Sequence, residues 1–245
     1  WWGVELGVNQ TPSNRQLIKT LGGNLRIYSE SHEAAGVSLL YGLAWEGGEI
    51  NTGSGSVEIN ARTIGTPSNS SWANHGVAIG ANNGTTDAPK LISTGGVTIT
   101  GATGTTSSGH QGISIGYADL DAGTSTITMT SSRRVDFAAA NTIRSRFNLS
   151  TSSGLVKVSA NQNWGVATTG TVATITSADG ISISGQVSAS GNIELRSTSG
   201  TFETTSALTT TGTNGQILVV ADSVDLGAAL STTSATGVVT IAPQS

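Results

Sequence analysis

Gly76-Val77-Ala78-Ile79-Gly80 and Gly112-Ile113-Ser114-Ile115-Gly116 are near copies 36 residues apart, and Gly36-Val37-Ser38-Leu39 precedes the first by 40. In each, apolar side chains alternate with small or polar ones, the period of a half-buried strand. Ser56-Val57-Glu58-Ile59 and Gly96-Val97-Thr98-Ile99-Thr100 form a second set, again 40 apart, interleaved with the first. Two strand types therefore alternate along the first half of the chain.

The same period continues outward from these stretches. Ile127-Thr128-Met129, Val156-Lys157-Val158 and Ile181-Ser182-Ile183 repeat it, each bounded by Gly, Asn, Ser or Asp, the residues that turns require. Helical periodicity is confined to Asn14–Leu21, where Leu17, Ile18 and Leu21 follow an Asn or Ser cap. The chain is read as all-β. Strong apolar runs begin at Val37, Val57, Val77, Val97, Ile113, Val135, Val156, Val172, Ile193, Ile217 and Val238, a mean step close to 20 residues. A period in this range marks a solenoid. A parallel β-helix with about 20 residues per coil follows, and some 11 coils at ordinary strand spacing would make a rod of roughly 50 Å. Residues 1–21 depart from the pattern and are expected to cap or connect; residues 22–245 are expected to form the β-helix.

Composition suits such a rod. The 245 residues include 33 Gly, 33 Ser and 36 Thr, no Cys, and only 11% charged residues, with a net charge of -4. Thr and Ser tolerate outward strand positions and hydrogen-bond along a stack. Like charges repeating on every coil would stand about 5 Å apart and repel, which favours a low charge content. Eleven Lys and Arg spread over the chain provide no basic surface for nucleic acid. No apolar run reaches the length of a membrane span. Without Cys there is no disulfide scaffold. No basic segment followed by an apolar one opens the chain, so an export signal is expected to lie outside it.

Gly22-Gly23-Asn24-Leu25-Arg26-Ile27, Gly191-Asn192-Ile193-Glu194-Leu195 and Ser223-Val224-Asp225-Leu226-Gly227-Ala228-Ala229 resemble the repeats of filamentous-haemagglutinin-like exoproteins, the large adhesins of bacterial two-partner secretion. Thr236-Gly237-Val238-Val239-Thr240-Ile241-Ala242-Pro243 resembles the end of a repeat block in the same family. The resemblance covers most of residues 22–243. It implies a right-handed parallel β-helix, export across the outer membrane, and a place on the cell surface or outside it.

Several residues invite a chemical reading. Gly109-His110-Gln111-Gly112-Ile113-Ser114-Ile115-Gly116 resembles the Gly-His-Gly-Ile-Ser-Ile-Gly stretch of polygalacturonases, with Gln111 intruding. Inverting glycoside hydrolysis needs two carboxyls flanking the bond, yet no Asp or Glu occurs from Ala88 to Ala118. Asp119 and Asp121 share one face if extended and could contribute to a Ca²⁺ site, which wants six to eight oxygens; a solvated turn is the alternative. His32, His75 and His110 each precede a Gly-Val or Gly-Ile strand, but at 36 to 40 residues apart they are expected two coils from one another, too far to share zinc. Trp1, Trp2, Trp45, Trp72 and Trp164 would either bind sugar rings or cover the rod end and fill corners. Four sequons, at Asn9, Asn69, Asn83 and Asn148, are what so Ser/Thr-rich a chain produces by chance.

The expectation is a structural, non-enzymatic segment of a secreted or cell-surface fibre, with no catalytic, cofactor or metal residues assigned. Its expected partners are adjacent repeats of a longer parent chain or neighbouring subunits, with a host-surface or glycan ligand as a further candidate. The alternatives are a polysaccharide-binding or polysaccharide-degrading β-helix and a self-assembling filament or surface-layer subunit.

Overall fold

The computed structural model describes residues 2–7, 16–32, 41–65, 74–80, 88–104, 110–166 and 169–244. Among them are 27 strands and no helix. The strands form three nine-stranded sheets, and every pairing is parallel between a strand and the third one after it. Sheet A runs from β1 (Trp2–Leu6) to β25 (Ser223–Leu226), sheet B from β2 (Leu17–Lys19) to β26 (Leu230–Thr232), and sheet C from β3 (Leu25–His32) to β27 (Val238–Ala242). The chain is a parallel β-helix. Nine strands at the inter-strand spacing make a stack about 40 Å long, shorter than eleven coils would give.

Coil length is uneven. In sheet A, partners Trp2, Tyr41, His75 and Gln111 are separated by 39, 34 and 36 residues. From Ile113 onward, through Val135, Val156, Ile181, Phe202 and Val224, the steps are 22, 21, 25, 21 and 22. The step of 36 from Val77 to Ile113 and that of 40 from Val57 to Val97 are thus whole coils, and the 20-residue steps Val57 to Val77 and Val77 to Val97 pass from one sheet to another. The strand in register with Val77 begins at Tyr41, with Leu43 opposite Val77; Gly36–Leu39 lies outside the described residues.

The helical reading of Asn14–Leu21 is corrected where it can be compared. Leu17–Lys19 is β2, pairing with Glu49–Asn51 so that Ile18 meets Ile50. Only Ile18 of the three apolar residues turns inward; Leu17 and Leu21 are 58% and 92% exposed, so a helical apolar face has nothing to cover. Asn14 itself is outside the described residues.

Inside, like stacks on like. One column of sheet A reads Leu43, Val77, Ile113, Val135, Val156, Ile181 and Phe202, all buried. Where a large ring enters, its neighbours shrink. Trp164 packs edge-on to Phe147 at 5.1 Å and against Phe137 at 6.0 Å. The next coil answers with Ala189 opposite Trp164 and Ala173 opposite Phe147, which keeps the interior at solid-like density.

The recurring Gly ahead of the Val or Ile has a steric cause. A Cβ on Gly76 would lie 2.4 Å from the Ala102 nitrogen, and one on Gly112 would lie 1.8 Å from Ser131 Oγ. Sheets A and C approach here too closely for any side chain.

Ser and Thr are not only outward. At the corners they turn inward and saturate turn carbonyls: Thr52 Oγ1 donates to Gly55 O at 2.7 Å, Ser93 Oγ to the same oxygen at 2.8 Å, and Thr151 Oγ1 to Gly154 O at 3.0 Å. These hydroxyls satisfy backbone acceptors that the bend removes from the ladder.

Candidate functional site

His75 and His110 lie one coil apart, because the strand His75–Ile79 pairs directly with Gln111–Ile115. The expected two-coil separation assumed uniform short coils and is corrected by the long ones. His110 Nδ1 accepts a hydrogen bond from the Asn74 backbone N–H at 2.9 Å, so its imidazole is fixed as an inter-coil strut. His32 sits on sheet C, exposed, and bonds Glu30. The three histidines do not converge, and the described residues contain no cluster of three His, Asp or Glu side chains able to hold a metal.

Register builds a polar column that the sequence did not announce. Tyr41, His75, Gln111 and Arg134 occupy equivalent positions on four successive coils of sheet A. Arg134 Nη2 donates to Asp136 Oδ2 at 2.6 Å, Gln111 Nε2 reaches the same oxygen at 3.4 Å, and Ser159 Oγ donates to Asp136 Oδ1 at 3.0 Å. Burial is the first cause that drives the His75 pKa down to about 4; Gln111 opposes this, while His110 and Arg134 add to it. Burial also lowers the His110 pKa, helped by Arg133. Asp136 is the single carboxylate of this cluster, buried and occupied on both oxygens. The column pins coils together, and it offers no second carboxyl for glycoside hydrolysis.

Asp119 and Asp121 share one face, as their spacing predicts, on the strand Asp119–Asp121 rather than in a turn. Arg144 grips Asp119 through two bonds, of 2.7 and 2.9 Å, and this pairing holds the guanidinium pKa above its ordinary value. Asp121 Oδ1 accepts from Gly123 N at 2.8 Å and Ser145 Oγ at 3.2 Å. Beside Asp119 lies an open hollow of about 230 Å³ lined by Tyr117, Asn141, Thr142 and Asn163 among others, smaller than the usual small-molecule pocket. A second hollow, of about 450 Å³, shares Asn163 and continues past Gln186 and Ser188.

Trp45 and Trp164 are buried core residues, the first donating its indole N–H to Gly47 O at 2.8 Å. Trp1 and Trp72 lie outside the described residues, as do Asn9, Asn69 and Asn83; Asn148 is exposed on sheet C. No helix among the described residues is long and apolar enough to cross a membrane.

Charge follows a rule along the stack. Register partners of opposite sign are Arg26 and Glu58, Glu30 and Arg62, Glu49 and Lys90, Lys90 and Asp119, and Asp136 and Lys157. Glu203 opposite Asp225 is the exception among the described pairs. Comparison with protein-family models, curated proteins and solved structures finds no match to this chain.

Proposed function

We propose that the chain is a non-enzymatic structural and adhesive segment of a secreted or cell-surface bacterial fibre, whose work is to extend a stiff rod. The observation that carries this reading is the unbroken register of the stack: in all three nine-stranded sheets each strand lies parallel on the third one before it. Val239 and Ile241 of the last strand of sheet C continue the columns of buried Ile217 and Val219. Solenoid repeats gain stability from such neighbour contacts. The exoprotein-like repeats at Gly191–Leu195 and Ser223–Ala229 support the exported setting.

Sedimentation equilibrium at rising protein concentration and high salt tests the reading. Association that a Val239→Pro variant abolishes, with circular dichroism otherwise unchanged, is the expected result. A chain that stays monomeric up to millimolar concentration would count against an extending rod. A second reading, glycan binding, rests on the two hollows joined at Asn163; binding to a glycan array that Tyr117→Ala removes would favour it.

A further inference from the structure

The outward column of sheet B changes character along the stack. Lys90 and Asp119 are followed in register by Thr142, Asn163 and Ser188, and then by Thr209. The first two are tied up by charge: Lys90 lies 3.7 Å from Glu49, and Arg144 holds Asp119. At the far side Thr209 Oγ1 and Ser231 Oγ bond each other at 3.0 Å. Between these, the side chains of Thr142, Asn163 and Ser188 make no hydrogen bond to another described residue. They stand at three consecutive positions, about 4.8 Å apart, and each carries both a donor and an acceptor.

The two hollows lie over this part of the column and share Asn163, the first of about 230 Å³ beside Thr142 and the second of about 450 Å³ along Ser188 and Thr209. Together they make a groove parallel to the stack, about 19 Å long over the four strand steps from Asp119 to Thr209. One wall is fixed by buried amides: Asn141 Nδ2 donates to Gln162 Oε1 at 3.1 Å, and Gln162 Nε2 to Ala160 O at 2.9 Å. Ala140, Val187 and Ala207 supply apolar surface between the polar groups. Tyr117 stands at the Asp119 end with φ 55, a left-handed conformation that a non-Gly residue keeps only where its surroundings enforce it.

Resting on the glycan-binding reading above, we infer that this groove binds an uncharged linear oligosaccharide laid along the stack. Thr142, Asn163 and Ser188 each bond one sugar, and Tyr117 covers the apolar face of a sugar at the end. In an extended chain of β-linked pyranoses each residue advances by close to one strand spacing, so successive sugars meet successive coils. Sugar hydroxyls both donate and accept, as the three side chains do. Asp119 is the single charged residue lining either hollow, and Arg144 neutralises it, so an anionic chain meets no cation in the lining. An extended peptide would bind a sheet through an unpaired strand edge, and these strands are paired on both sides within sheet B.

Calorimetric titration of the whole chain tests this with cello-oligosaccharides and manno-oligosaccharides of one to six residues, and with oligogalacturonates of the same lengths. Affinity for at least one neutral series should rise with length and level off near four residues, about the number of strand steps in the groove. It should hold in about 1 M salt, where charge interactions reach only about 3 Å. Asn163→Ala, and Thr142→Val, which exchanges a hydroxyl for a methyl, should each weaken the longer chains by about tenfold with circular dichroism unchanged. Thr128→Ala, outward on sheet C, should bind as the wild type does. Tighter binding of the oligogalacturonates, or equal affinity at every length, would overturn the neutral-chain assignment and leave glycan binding standing. So would neutral binding that neither groove variant weakens. No binding in any of the three series would overturn the assignment, and a blank glycan array would remove the reading beneath it as well.

Discussion

The rings of Tyr41 and His75 are stacked on consecutive coils, with centroids 5.0 Å apart and planes 8° from parallel. The pair is buried on the outward side of sheet A, where alternation alone would place solvent. An imidazole held there must stay neutral, and the cost of charging it is transmitted to folding.

That cost sets a pH dependence. The His75 pKa falls from 6.5 to about 4 on folding, so on acidification the unfolded chain binds this proton first. The contribution is complete above about pH 6.5 and is lost as the pH falls towards about 4. Denaturant unfolding should show a loss of about 3 kcal/mol between these limits from this residue. His75→Phe keeps the stacking and should flatten the profile over the same window. An unchanged slope in that variant would locate the acid sensitivity elsewhere.

Trp164→Ala should be among the most damaging single changes. The indole fills space that Ala173 and Ala189 leave open, and those neighbours cannot grow to replace it. A loss of about 4 kcal/mol is expected from the cavity and the lost transfer energy, read as a shift in denaturant midpoint. A loss under about 1 kcal/mol would mean that the coils collapse around the gap.

Gly76→Ala tests the close approach of sheets A and C. The added Cβ would meet the Ala102 nitrogen at 2.4 Å, so the backbones must separate, at a cost of about 2 kcal/mol. The same substitution at Gly23, where the nearest atom would be 3.8 Å away, should be close to neutral. Equal effects at both positions would remove the steric account of the repeated Gly.

Hydrolysis of acidic glycans is the outcome expected to be absent. Asp119 is held by Arg144, and His110 is spent on the Asn74 backbone. Purified protein should release no product from pectin or polygalacturonate, with or without Ca²⁺. Steady release abolished by His110→Ala, Asp119→Ala or Asp121→Ala would establish a working site.

How much of this was legible beforehand differs from residue to residue. The spacing of Asp119 and Asp121 puts both on one face of an extended segment, and the strand Asp119–Asp121 is extended. Their partners Arg144 and Ser145 lie more than twenty residues on, and only coil register brings them within reach. The same is true of Asp136. Its spacing from Arg134 marks a shared face, but nothing local connects either one to Gln111 or Ser159.

The strands themselves were within reach of the sequence alone. Val57-Glu58-Ile59, Val97-Thr98-Ile99 and Ile181-Ser182-Ile183 declare which side chains turn inward, because successive side chains on a strand point to opposite faces whatever the chain does next. The all-β class and the solenoid follow from repeating that local rule. Which strand lies on which did not follow. Gly36-Val37-Ser38-Leu39 copies the strand at Gly76, yet it is Gly42-Leu43-Ala44-Trp45 that stacks beneath it. Register is decided by hydrogen bonds between coils and by rings that must fit the same interior, and turns of different length can satisfy both. The tertiary structure alone therefore settled the coil lengths, the neutral His75 beside Tyr41, and the meeting of Glu203 with Asp225.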